Sequence, residues 1–394
     1  MSTFNHQNTS IIFNADGTIN NVVYTATQPL LAVIATKLQG LQFTPLGITL
    51  PAGLVNIIVE LLDSIAAIPA AQAAKKVYLA DYIFGHLIID SHLPNPKLKA
   101  AISSEILRVV ENWEATHEMV HKGTPYYFLA ATHLAQGDIP SAYIYFFNAL
   151  EQDKINFPTI GKNVHAAPAY LTTSLVDDRI NALYNEVVIP LRAYLQGFLT
   201  QYCARTGSTL SLSDLDTRFL QHNDFEDIKK FFVASIHEIY HLSPLNSSHL
   251  INNDYSKLKI SDTLFNISLI LDQILQKRFP AAGPRHDMAN AIYRLALHHI
   301  WTTERLDNDA GVFLRQITPK LNSGPPDKIL PSLLDGTATF RGNALNPQQK
   351  AIFLAYHLRN FGGHNINTQS ILVNRYGEIL SAIMDAIFTA IDVL

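Results

Sequence analysis

Apolar positions along this chain recur mostly at intervals of three and four, the spacing that places residues on one face of a helix. Alternating apolar and polar positions are confined to the start. There, IIFNADGTINNVVYT holds two β-prone runs around Asp16-Gly17, a pair that favours a tight hairpin turn. Beyond it the pattern predicts helices over 69–90 and 98–121, then one long helix from Val176 to Cys203, or two joined near Pro190. The C-terminal part predicts four more, at about 258–278, 284–306, 346–360 and 366–392. Pro284 suits a first helical turn, and Asn346-Pro347 supplies a cap followed by the favoured first-position proline. The loop LNSGPPDK at 321–328 interrupts this arrangement. The expected fold class is all-α: an N-terminal helical domain with a short β-hairpin, then a C-terminal four-helix bundle with one long insertion. The polar run RTGSTLSLSD, Arg205 to Asp214, is the expected boundary. It gives an N-terminal domain over 1–205, a connecting helical region over 206–257 and a C-terminal domain over 258–394.

Composition adds limits. With 394 residues, 48% of them hydrophobic, the chain can bury a substantial core without cross-links. The single cysteine, Cys203, cannot pair within the chain and does not suit a cysteine-rich zinc module. The first residues, MSTFNHQNTS, lack a basic stretch followed by an apolar one, so no secretory signal is expected and the cytoplasm is the expected compartment. Leu38 to Val59 is uncharged and long enough to span a bilayer. Its prolines, glycines and amides make it a poor membrane helix, and it reads instead as buried connections between helices. A net charge of −4 offers no general basic field, so contact with RNA requires a local patch.

Residues 124–153 carry Tyr126, Leu129, Ala130, Ala142, Phe146 and Ala149, with Gly137-Asp138 at a turn. The segment resembles one tetratricopeptide hairpin, although His133 replaces the family's tyrosine, Lys154 its terminal proline, and no second copy follows. The alternative is an ordinary helical hairpin. A repeat would imply a surface for a protein or small-ligand regulator.

The sharpest chemical signal is NPQQKAIFLAYHLRNFGGHNI. Ile352, Ala355 and Tyr356 form an apolar stripe, and Arg359 extends it to the helix end, where Gly362-Gly363 stops the helix before His364. Arg359, Asn360 and His364 resemble the signature of the HEPN superfamily, an Arg followed by a polar residue and then a His after four to six intervening positions. The resemblance covers roughly the last 140 residues. It implies an all-α homodimer whose two motifs face a shared cleft, metal-independent RNA cleavage with no cofactor, and a role in toxin activity or antiviral defence. Arg294 and His299 share the same spacing but lie within one predicted helix, about 140° apart, so their side chains diverge. The chemistry suits the residue types. RNA carries its own nucleophile in the 2′-OH; a histidine with an ordinary pKa of about 6.5 can move the protons. An arginine can hold the phosphate, and Asn360 can orient the imidazole or bind a phosphate or ribose oxygen.

Two HExxH strings compete: His117, Glu118 and His121, and His237, Glu238 and His241. On a helix the two histidines share a face and can bind zinc while the glutamate serves as base. The first runs into Lys122-Gly123 and is expected in the last turn of a helix; the second meets Pro244 and Ser247 where an extended zinc motif places Gly and His. A zinc peptidase therefore stays as one alternative, with no metal the leading expectation. The other alternative is a non-enzymatic interaction protein whose C-terminal domain only dimerises.

Overall fold

The computed structural model describes residues 2–6, 9–15, 17–24, 32–33, 36–37, 42–44, 47–85, 96–156, 187–246, 254–279, 288–296, 300, 310–321, 326–362 and 370–394. The fold is predominantly helical, and the strands among the described residues are short. It divides into two compact units, Met1–Ala169 with Leu175–Ile180, and Tyr170–Ser174 with Asn181–Leu394. The boundary expected at Arg205–Asp214 lies inside the second unit, where Arg205 is tied to Asp385 by a 2.7 Å ion pair. Polar residues there make a capped turn rather than a linker: Ser211 and Asp214 form a reciprocal capping box.

In the first unit, β1 (Ser2–His6), β2 (Thr9–Phe13) and β3 (Ile19–Tyr24) form an antiparallel meander in chain order. A turn with Gly17 at φ +88° and Asn14 Nδ2 donating to Thr18 Oγ1 joins β2 to β3 where the hairpin is expected; Asp16 itself lies outside the described residues. Ile11 and Phe13, two apart and so on one face, are buried. The uncharged stretch read as connections instead holds a strand pair, β4 (Gln42–Thr44) with β5 (Gly47–Thr49), and the start of α1 (Ala52–Ala66). Paired extended backbone satisfies the polar groups that an irregular buried connection would strand. Helix α1 buries Leu54, Ile57, Ile58, Leu61, Leu62 and Ile65 at three-and-four spacing. Then come α2 (Ala73–Tyr82) and α3 (Pro96–Glu114), followed by the helical hairpin α4 (Gly123–Ala135) and α5 (Ile139–Asn156). Gly137 turns that hairpin at φ +75°, and Ala130 and Ala142, both fully buried, let its helices approach closely. His133, at the tetratricopeptide tyrosine position, stacks on Tyr145 and lies 3.0 Å from Asp138 across the turn. No single described helix is long and apolar enough to cross a membrane; α1 and the segment Ala70–Gly85 reach that length together but meet at 104°.

The second unit opens with α6 (Ile189–Thr206), where Pro190 sits in the first turn and Gly207 ends the helix at φ +75°. Residues 176–186 of the helix expected from Val176 lie outside the described residues. Next are α7 (Glu226–Asn246), α8 (Asp254–Arg278) and α9 (Met288–Leu295). The longer helix expected over 284–306 falls largely outside the described residues. The insertion is structured: α10 (Ala310–Arg315), β6 (Ile317–Thr318), α11 (Pro326–Leu334), β7 (Thr339–Phe340) and β8 (Asn343–Ala344), the three strands forming an antiparallel sheet. Helix α12 (Pro347–Gly362) begins at the expected cap, with Asn346 Oδ1 accepting from Gln349 N and Gln349 Oε1 accepting from Asn346 N, both 2.9 Å. The stripe expected on α12 is in fact a fully buried helix from Ala351 to Leu358, packed against α8 and the last helix. The helix expected over 366–392 is two, α13 (Ser370–Asn374) and α14 (Tyr376–Asp392), parted at Arg375. Arg375 stands outside helical geometry at φ −119° and ψ 26°, with its guanidinium on Asp335 and Glu378. Helices α8, α12 and α14 pack against one another, with α6 and α7 alongside them.

Candidate functional site

Arg359 lies in the last turn of α12, just past its buried stretch. Its Nε and Nη2 both lie 2.9 Å from Oδ2 of Asp272 on α8, and Nη1 donates to Asn360 Oδ1 at 3.1 Å. Asp272 is 2% exposed at the side chain and Arg359 36%. Oδ1 of Asp272 accepts from Gln276 Nε2 at 2.9 Å, one turn along α8. The carboxylate is thus filled on both oxygens, while the Arg359 side chain as a whole stays partly exposed. Charge-assisted bonds of this kind fix a side chain's direction as well as its position. Asp272 is a site residue that the motif alone does not reveal. Its signal in sequence is a lone acid inside the apolar run ISLILDQIL, since a carboxylate at such a position requires a cation from another element.

The structure therefore places Arg359 and Asn360 together at one helix end. His364, two positions beyond Gly362, lies outside the described residues. So does His299, the partner of Arg294 in the matching spacing on α9. The imidazole nearest to Arg359 in sequence among the described residues, His357, is buried and bonds through Nδ1 to the Leu321 carbonyl at 2.8 Å. Burial pushes its pKa down, partly offset by that hydrogen bond, and it has no access to solvent for proton exchange with a substrate.

The two HExxH strings part company. His117, Glu118 and His121 were expected in a helix's last turn, but α3 ends at Glu114 and they occupy the connection to α4. Glu114 draws the chain out of the helix by accepting from Val120 N and from Lys122 Nζ. His117 stacks on Trp113 at 4.2 Å and bonds the Trp113 carbonyl, closing the helix end. Glu118 pairs with Lys76. His121 is buried, with Nε2 3.2 Å from Asp81 and 3.7 Å from Asp153, and Nδ1 3.0 Å from Asn156 Nδ2. Because Asn156 Nδ2 also donates to the Gln152 carbonyl at 2.7 Å, it is a donor to Nδ1, which leaves the proton on Nε2 facing the carboxylates.

His237, Glu238 and His241 do lie on a helix, α7, with imidazole centroids 5.1 Å apart. His237 points inward, and burial, then the neighbouring His241, push its pKa down to about 3. Glu238, which would act as base in a peptidase, is paired with Lys259. No group of three or more His, Cys, Asp or Glu among the described residues is arranged to hold a metal ion. Comparison with family models, characterised proteins and solved structures gives no match, so the HEPN resemblance rests on these residues alone.

Proposed function

We propose that this chain is an endoribonuclease that cuts RNA through attack of the substrate's own 2′-OH, with Arg359 and Asn360 at the end of α12, and His364 after them in sequence, as its working residues. The observation that carries the reading is the fixing of Arg359 by buried Asp272. A positively charged fork held at a helix end by a buried carboxylate, on a side chain that stays partly exposed, suits a phosphate whose charge grows in the transition state. In this reading His364 takes the 2′-OH proton or gives one to the 5′-oxygen, and Arg359 binds a non-bridging phosphate oxygen. Asn360, bonded to Arg359 Nη1, sets the angle of the fork. Attack of O2′ on phosphorus breaks the P–O5′ bond and leaves a 2′,3′-cyclic phosphate and a 5′-hydroxyl; no metal is required for either proton transfer. The acid and base tasks divide most simply over the two histidines of a homodimer.

A test is to incubate the protein with RNA and determine the chemistry of the new ends. Cyclic phosphate and 5′-hydroxyl ends, with no cutting where the 2′-OH is replaced by hydrogen, support the reading. A 5′-phosphate end refutes it.

A second reading is favoured by the same pair. Arg359 already donates two hydrogen bonds to internal acceptors and sets Nη2 2.9 Å from the Asp272 carboxylate, as a residue does when it only locks α12 to α8. In that case the C-terminal bundle is a non-enzymatic interaction module, and no RNA ends appear.

A further inference from the structure

Where α1, α2, the end of α5 and the connection from α3 to α4 meet, the first unit holds a cavity of about 120 Å³. Ile65, Val77 and Val120, all buried, give it an apolar wall. Lys76, Glu118, His121 and Asn156 add polar groups. Lys76 Nζ pairs with Glu118 Oε1 and lies 3.5 Å from the Ala66 carbonyl. The Lys76 side chain is 19% exposed and that of Glu118 52%, and Met119, also lining the cavity, is 73% exposed, so the cavity opens to solvent on the Glu118–Met119 side. Asn156 Nδ2 donates to the Gln152 carbonyl at 2.7 Å and to His121 Nδ1 at 3.0 Å. Two donations from one nitrogen fix the orientation of the amide, and its Oδ1 accepts from no donor among the described residues. A cavity of about 150 Å³ takes a benzene molecule, so this one suits a group of about five heavy atoms.

We propose that this cavity binds a small aliphatic amino acid, with its carboxylate on Lys76, its ammonium on Asn156 Oδ1 and its side chain against Ile65, Val77 and Val120. The inference concerns the first unit alone and does not rest on the ribonuclease reading. A cation, a fixed acceptor oxygen and an apolar wall around one small cavity match the three parts of such a molecule. Glu118 occupies the cation in the free protein, and the incoming carboxylate replaces it like for like. Its release costs little, because Glu118 is half exposed and an ion pair of that kind contributes about 0–1 kcal/mol. A surface ion pair by itself accounts for Lys76 and Glu118, but not for an amide that is locked by two donations and lines a cavity with its acceptor oxygen unused.

The test is isothermal titration calorimetry of the full chain with L-valine. Isobutylamine and isobutyrate, each carrying one of the two charges on a similar branched carbon frame, should bind at least about 10-fold more weakly, the loss of one charge-assisted hydrogen bond. L-tryptophan, too large for the cavity, should not bind. Lys76→Met keeps the length of the stem without the charge and should weaken L-valine binding by about 10-fold or more. Glu118→Ala removes the competitor for Lys76 and should tighten binding about 2- to 5-fold, the range of an exposed ion pair. A purely structural role for the Lys76–Glu118 pair predicts no such gain. Absence of binding at millimolar L-valine, wild-type affinity in Lys76→Met, or weaker binding in Glu118→Ala overturns the proposal. Should Lys76→Met fail to fold, the comparison of L-valine with isobutyrate and isobutylamine on the wild-type chain decides, and equal affinity for all three overturns it.

Discussion

Removal of the Asp272 carboxylate probes both the bundle and the candidate site. Asp272→Ala takes away an acceptor that is 2% exposed and binds Arg359 through Nε and Nη2 and Gln276 through Nε2. Breaking a buried ion pair by deleting one partner costs about 3–5 kcal/mol. Here the surviving charge is on Arg359, whose side chain is 36% exposed and regains water, which brings the expected cost down to about 2–3 kcal/mol. For a unit of this size that is a fall of about 4–12 °C in melting temperature. The converse change, Arg359→Ala, leaves the carboxylate buried and unpaired and should cost at least as much. In a double-mutant cycle read by urea unfolding, the two changes should couple by about 1–3 kcal/mol. Asp272→Asn keeps acceptor oxygen for the guanidinium and should be milder than Asp272→Ala. A loss below about 0.5 kcal/mol in Asp272→Ala, or additive single changes, would refute the account of Arg359 as held by a buried carboxylate.

Other expectations follow from separate parts of the molecule. Gly123→Ala would set a Cβ 2.7 Å from His121 Nε2 and 2.9 Å from Asp153 Oδ1, and should destabilise the first unit by about 1–3 kcal/mol in thermal melts; an unchanged melt would show that this cluster can give way. His237, held at about 3 in the folded chain against about 6.5 unfolded, binds its proton only on unfolding between those values. Stability should therefore fall as pH drops from about 6.5 towards 3, and melting temperatures across that window should decline less steeply in His237→Leu. RNA cleavage should persist in a metal chelator; loss restored by zinc would move attention to His237 and His241 on α7.

Much of this fold is legible in the sequence where local pattern and packing agree. Asn346-Pro347 caps α12 because the capping geometry is local, and Gly17 turns β2 towards β3 for the same reason. What is hidden depends on residues far apart. At the break between α13 and α14, Asn374 and Gly377 flank Arg375 and Glu378 holds its guanidinium locally, but Asp335, forty positions away, holds it too, a contact that local pattern does not encode. The loop position of His117 to His121 is set by Glu114 reaching forward to Val120 and Lys122, a contact that helical periodicity does not encode. The strands at Gln42–Thr44 and Gly47–Thr49 are too short to produce an alternating pattern. At the candidate site, spacing points to Arg359 and Asn360, whereas Asp272 and Gln276 enter from α8 through tertiary packing.

The central claim is that Arg359, Asn360 and His364 cut RNA, and the most direct measurement is cleavage by His364→Ala. In the sequence His364 follows Gly362-Gly363 and belongs to no apolar stripe, so its loss should leave the melting temperature unchanged while suppressing cleavage about 10²–10⁴-fold, the usual contribution of a positioned acid or base. His299→Ala, from the matching Arg294 spacing, serves as the control and should cut as the wild type does. Equal cleavage rates in His364→Ala and the wild-type chain would contradict the account.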